Sequence, residues 1–240
     1  MTRDARIASD SSRAAARVVG AVWLLYFITG TVGGLLAQGG VVPGNTAGAL
    51  ANILGHPTQY RAGVAVGLFA NALYVVLTAL LYRMFAPVDR GLSAMAAFLS
   101  LVGCIVQIVA TMLQLAPIAI LRDTALAGVF TTDQIRSVMA MCLKLYGQSY
   151  QISLVMFAMF EVVLGYLIYR STFVPRAFGI LFLVAGLSWM TYFWPPLGNA
   201  MRYFILPVGA LAEFALPVWL VVKGLDVPAW QALEAHQSPA

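Results

Sequence analysis

Charge is scarce in this 240-residue chain: Asp, Glu, Lys and Arg make up 10% of it, against 61% hydrophobic residues. A soluble globule carries roughly a quarter of its residues charged, so this composition excludes one. Histidine and cysteine number two each. His56 has no second histidine, cysteine or carboxylate at ligand spacing and His236 sits in the tail, so neither a metal nor any other cofactor is expected. Cys104 falls in an apolar run and Cys142 in a more polar one; both read as free thiols, and no neighbouring histidine activates either. A nucleotide-binding glycine loop and a Ser-His arrangement are also missing. With no basic, aromatic-interleaved surface, the net charge of +5 is read as topology and anionic-lipid contact, not nucleic-acid binding.

What the chain has in abundance is long apolar runs. Six of them, at 18–37, 62–85, 92–120, 148–169, 176–194 and 203–222, are long enough to cross a bilayer as helices. Backbone groups in lipid must be paired internally, and runs this continuous exclude a closed barrel. The expected fold is an all-α polytopic integral membrane bundle of six transmembrane helices in a single domain, 1–240. Around the spans lie an N-terminal segment 1–17, connections 38–60 and 121–147 with short amphipathic helices, and a tail 224–240. The first apolar run is too long for a signal peptide's core and is expected to stay as an uncleaved span. Counting cations on alternate sides puts Arg3, Arg6, Arg13, Arg17, Arg83, Arg90, Arg170, Arg176 and Lys223 on one side, and Arg61, Arg122, Arg136, Lys144 and Arg202 on the other. That nine-to-five split predicts both termini on the cytoplasmic face of a bacterial cytoplasmic membrane.

Glycines in the first span and a stripe of Gly63, Gly67, Asn71, Tyr74 and Thr78 in the second are expected to face protein, because small residues let helices approach where lipid supplies no hydrophobic drive. The third span repeats the pattern with Ser100, Gln107, Thr111 and Gln114, whose amides are expected to find partners across the bundle. From Thr132 to Ser171 a run of almost forty residues has no proline. It reads as one long helix capped by Thr132 or Asp133, with a lone acid, Glu161, in its apolar half.

The block Gly165, Arg170, Ser171, Pro175, Arg176, Gly179, Gly186, with Tyr60-Arg61, Leu81-Tyr82-Arg83 before Pro87, and Glu213 through Trp219 to Gly224, resembles a bacterial membrane family catalogued as domain of unknown function 4386. The resemblance implies a six-helix membrane fold. It supplies no activity, cofactor or catalytic residue, so the catalytic residues stay unknown.

Function has to be argued from the acids. Glu161 lies nine residues before Arg170 and Glu213 ten before Lys223, on spans expected to run in the same direction. At 1.5 Å per residue both sit about 14 Å from the same boundary, near mid-bilayer. An acid there has to hold a proton or meet a polar partner. Glu161, Glu213, Asn71, Gln107, Tyr74 and Gln151 are therefore the candidate ligand-binding residues. The reading placed first is a protein that binds or translocates a small molecule, ion or lipid-like ligand at a carboxylate- and amide-lined midplane site. The alternatives are an intramembrane enzyme using glutamate as acid and base on a lipid or isoprenoid, and a sensor or structural subunit with no catalytic site. Expected partners are membrane lipids, such a ligand, and a second copy of the chain.

Reporter fusions test the topology. A fusion at Ala240 is expected to report the cytoplasm and one between Arg122 and Lys144 the opposite side; a cytoplasmic signal from the second would break the six-span count.

Overall fold

The computed structural model describes residues 3–40, 45–123 and 128–237, without the side chains of 3–11, 236 and 237. In chain order the helices are α1 (Arg3–Gln38), α2 (Thr46–Gly55), α3 (Pro57–Phe85), α4 (Arg90–Arg122), α5 (Thr132–Arg170), α6 (Arg176–Trp189), a 3-10 turn (Met190–Phe193), α7 (Pro195–Val222) and α8 (Val227–Gln237). No strand occurs among the described residues. Six stretches are long and apolar enough to cross a membrane: Ser12–Gln38, α3, α4, α5, Arg176–Phe193 and α7. The fold is therefore the all-α, six-span bundle that the hydropathy pattern predicts.

The differences from expectation are local. The first helix begins at Arg3 and not near residue 18, because the Ala- and Arg-rich segment before the apolar run holds good helix formers and no breaker. The last span starts at Pro195, where two prolines occupy the first turn and give up N–H groups that would have no partner there. Thr131, one residue earlier than expected, caps α5: its hydroxyl accepts from the Gln134 N–H at 3.3 Å while the Gln134 side chain accepts from the Thr131 N–H at 2.9 Å, a reciprocal box. The tail holds α8, which is tied down: the Trp230 indole N–H donates to the Met84 carbonyl at 3.0 Å, satisfying an end-of-helix acceptor of α3. The Asp226 N–H donates to the Phe173 carbonyl.

The helices divide between two compact units. One comprises residues 1–25, 73–103 and 154–240; the other 26–72 and 104–153. In the first, α5 and α6 meet backbone to backbone. A Cβ added at Gly179 would stand 2.6 Å from the Tyr169 nitrogen, one at Gly165 2.7 Å from that of Leu183, and one at Gly186 2.8 Å from that of Val162. Gly20 of α1 sits as tightly on α7, where a Cβ would lie 2.6 Å from the Pro217 carbonyl oxygen. Phe178 and Trp219 join α6 to α7 at a ring separation of 5.7 Å. Between α3 and α4 the Thr78 and Ser100 hydroxyls are hydrogen-bonded at 2.6 Å.

In the second unit Gly33 of α1 lies on the Gly63 and Gly67 backbone of α3, so the glycine half of the α3 stripe faces protein as expected. Tyr60, Ile53, Ala37, Val64 and Ile118 make its core, with Leu115 and Leu143 against it. Asn45 caps α2 by accepting from the Gly48 N–H at 2.9 Å.

Two glycine substitutions separate close approach from ordinary helix content. Gly179→Val drives a branched side chain into the Tyr169 backbone and is expected to destabilise by about 2 kcal/mol. Gly147→Ala, where an added Cβ meets nothing within 4 Å, is expected to be neutral or stabilising by up to about 1 kcal/mol. Thermal melts in detergent compare them, and a wild-type melt for Gly179→Val would contradict the α5–α6 contact.

Candidate functional site

Glu161 is carried on α5 and Glu213 on α7, and each faces inward because of what its helix packs against. On α6, Gly186 rests on the Ala158 carbonyl and the Val162 nitrogen of α5, which sets Glu161 at the height of that contact. Farther along α6, Trp189 covers Gly209 of α7, with its indole nitrogen 2.6 Å from where a Cβ would stand. Glu213 is one helical turn beyond Gly209. Counted along α6 from its two neighbours, both acids arrive at the level of Ala185, which is wholly buried.

The two carboxyl side chains are hydrogen-bonded to each other. Carboxylates only accept, so a bond between two of them requires a proton on one. Glu161 is 3% exposed, while Glu213 is half-buried, at the edge between the packed face of α7 and the face bearing exposed Leu206 and Phe214. Lys and Arg are remote along every helix of the unit: Arg170 stands nine residues after Glu161, Arg202 eleven before Glu213 and Lys223 ten after it. Arg170 is itself turned to Asp89, at 4.0 Å.

Three buried side-chain polar atoms are without a hydrogen-bond partner among the described residues: Glu161 Oε2, Trp23 Nε1 and Trp189 Nε1. All belong to this unit. Trp23 packs edge-on to Phe182 of α6 at 5.7 Å, one turn from Ala185, and is 1% exposed. Trp189 lies over Gly209, toward which the Glu213 side chain leans, since helical side chains tilt to the N-terminus. The acid pair thus has a spare acceptor, and two spare donors lie within the same unit. Pro217 adds a fourth unpaired group: it has no N–H, so the backbone carbonyl of Glu213 loses its usual helical donor. Pro207 does the same for Tyr203. The acid-bearing stretch of α7 is therefore bracketed by two breaks in its hydrogen-bond ladder.

Of the other expected site residues, Tyr74 is buried in the same unit with its ring edge-on to Phe157 at 5.0 Å and to Phe160 at 6.3 Å; it reaches the residue beside Glu161. Asn71, Gln107 and Gln151 belong to the second unit, where each is half-buried. Sequence reasoning missed Trp23 and Trp189. The available signal was position: Trp23 follows Gly20 and Trp189 follows Gly186 by three residues, which puts each ring on the packed side of a close helix crossing. Ala158 and Gly165 lie about one turn to either side of Glu161 on α5, and α6 takes the room their small side chains leave. The enclosed cavity between α3, α4 and α5, lined by Thr78, Ser93, Phe160 and Leu164 among others, measures about 10 Å³, about enough for one water. Cys104 and Cys142 are free, and no three His, Cys, Asp or Glu side chains cluster among the described residues.

A family model described as domain of unknown function (DUF4386) matches residues 18–224. No curated protein and no solved structure matches the chain.

The indole accounting predicts the effect of Trp189→Phe. The ring stays and an unpaired buried donor goes, so the melting temperature is expected to hold or rise, with a change within about 1 kcal/mol. A loss well beyond that would mean the N–H has a partner.

Proposed function

The chain belongs to the family of domain of unknown function 4386, and for this member we propose that the Glu161–Glu213 pair is a membrane-embedded site that takes up and passes on a proton or a small cation. The observation that carries the reading is the carboxyl-to-carboxyl hydrogen bond set among apolar helices with no Lys or Arg nearby. An acid in hydrocarbon is costly, and a second one beside it adds repulsion as soon as both ionise. Structural cohesion is served as well by a single amide. Two acids that share a proton make a site whose charge changes by one when the proton leaves, and that charge can be met by a cation of similar size.

The surroundings favour a small occupant. An acid pair pressed between α5, α6 and α7 suits an ion better than a large organic ligand. Glu213 has partial access to the surface of its helix while Glu161 has almost none, so exchange would begin at Glu213. The two prolines of α7 supply the means of motion, since a ladder broken on both sides of an acid lets that stretch tilt with little loss of backbone bonding. In this reading the chain sits in a bacterial cytoplasmic membrane with both termini inside, surrounded by lipid.

Purified protein in liposomes tests it through the decay of an imposed pH gradient, followed with an entrapped dye and with Na⁺ or K⁺ outside. Wild type is expected to speed the decay. Glu161→Gln and Glu213→Gln keep size and hydrogen bonding but cannot ionise, and each is expected to lower the rate by about tenfold or more while melting like wild type. Both variants matching wild-type flux would sink the proposal.

A further inference from the structure

The second unit holds a set of polar groups that the acid pair does not use. Its anchor is at one end, where the Tyr60 hydroxyl donates to the Gln114 carbonyl at 2.6 Å and Leu115 and Leu143 pack on the Tyr60 core. Tyr60 and Leu143 lie near the starts of α3 and α5, Gln114 near the end of α4, so α4 runs against the other two. Counted from that anchor, Gln107 is seven residues before Gln114, Asn71 eleven after Tyr60 and Gln151 eight after Leu143. All three amides therefore fall in one slab, about 10 to 16 Å from the anchor.

These side chains sit where a packed interior is expected. The outward face of α4 bears Ile105, Val109 and Met112, exposed by 59%, 59% and 73%, and Gln107 is on the opposite side of the helix at about 100° per residue. Its neighbours on the inner side, Cys104 and Ala110, are sealed at 1% each. Yet Gln107, Gln114, Asn71 and Gln151 are all half-exposed, and none of the four amide groups makes a hydrogen bond among the described residues. The expectation that they glue helices together is not met. Tyr150, next to Gln151, is 42% exposed.

Unpaired amides gathered at one depth of a single unit make sense if water reaches them, because amides left bare in an apolar medium are costly. We propose that α3, α4 and α5 enclose a hydrated chamber here, lined by Asn71, Gln107 and Gln151, whose occupants are water and uncharged solutes carrying both hydrogen-bond donors and acceptors. The lining sets the class. A primary amide offers two donors and one acceptor, and no Asp, Glu, Lys or Arg stands at that depth: Lys144 is seven residues before Gln151, level with the anchor, and Arg61 is ten before Asn71. This chamber stands whether or not the acid pair moves ions.

Cysteine accessibility on the full chain tests it. In a Cys104→Ala, Cys142→Ala background, Gln107→Cys, Asn71→Cys and Gln151→Cys are each treated with a membrane-impermeant cationic methanethiosulfonate and with an anionic one. Ile105→Cys on the outward face and Ala110→Cys in the sealed interior are the references. Reaction at the chamber positions is expected to be at least about tenfold faster than at either reference, with the two reagents agreeing within about threefold. Equal rates at chamber and reference positions would overturn the chamber, and a large preference for one reagent charge would overturn the uncharged class. Should Gln107→Cys fail to fold, Asn71→Cys and Gln151→Cys decide the same question.

Discussion

Where lipid is the solvent, burying apolar surface gives helices no reason to prefer one another, and what holds α5 to α6 is contact between backbones. Gly165, Gly179 and Gly186 are the points at which that contact is made, each close enough that a single added carbon would collide with a neighbouring chain. Much of the rest follows from it. With α6 drawn onto α5, its next face is free to meet α7 through Phe178 and Trp189, and two acids from helices far apart in sequence end up on either side of Ala185. The close crossing also explains the rings around them: Trp23 and Trp189 fill the wedges that open beside a crossing of small residues.

Different parts of the structure were legible to different degrees. The six spans could be read directly, because a helix that must cross hydrocarbon declares itself by length and composition. Glu161 and Glu213 could be matched in depth by counting residues to Arg170 and Lys223, since helix rise is fixed. Their hydrogen bond could not be read, nor could the choice of α6 as the element that sets their height, because these depend on rotation and tilt of whole helices. The tryptophans were harder still. A tryptophan in an apolar run fits a membrane boundary, a packed core or a binding site equally well, and nothing in sequence says whether its N–H is paired. The amides went the other way: unpaired amides are costly, so partners were expected, yet Gln107 and Gln114 have no amide partner among the described residues.

The two units handle polarity by contrasting means. In the first, small hydroxyls bond at close range: Ser171, Ser188 and Thr78 donate to carbonyls on their own helices, and Thr78 also meets Ser100. Such bonds need little space and let helices stay close. In the second, Thr111, Ser137 and Ser153 bond in the same way, but the amides of Asn71, Gln107, Gln114 and Gln151 make no hydrogen bond among the described residues. The Glu161–Glu213 pair belongs to the first pattern in its tight packing, and departs from it in leaving one oxygen and two indole donors unmatched.

The clasp between Trp230 and Met84 bears on how the chain is made. Its partners are 146 residues apart in sequence, and α8 follows all six spans along the chain. Until α8 is made, the Met84 carbonyl at the end of α3 lacks its indole donor, while four further spans are inserted one after another. A contact with so wide a reach closes late. Completion of the first unit is thereby tied to the synthesis of α8, so a nascent chain halted before it would carry all six spans and still lack this clasp.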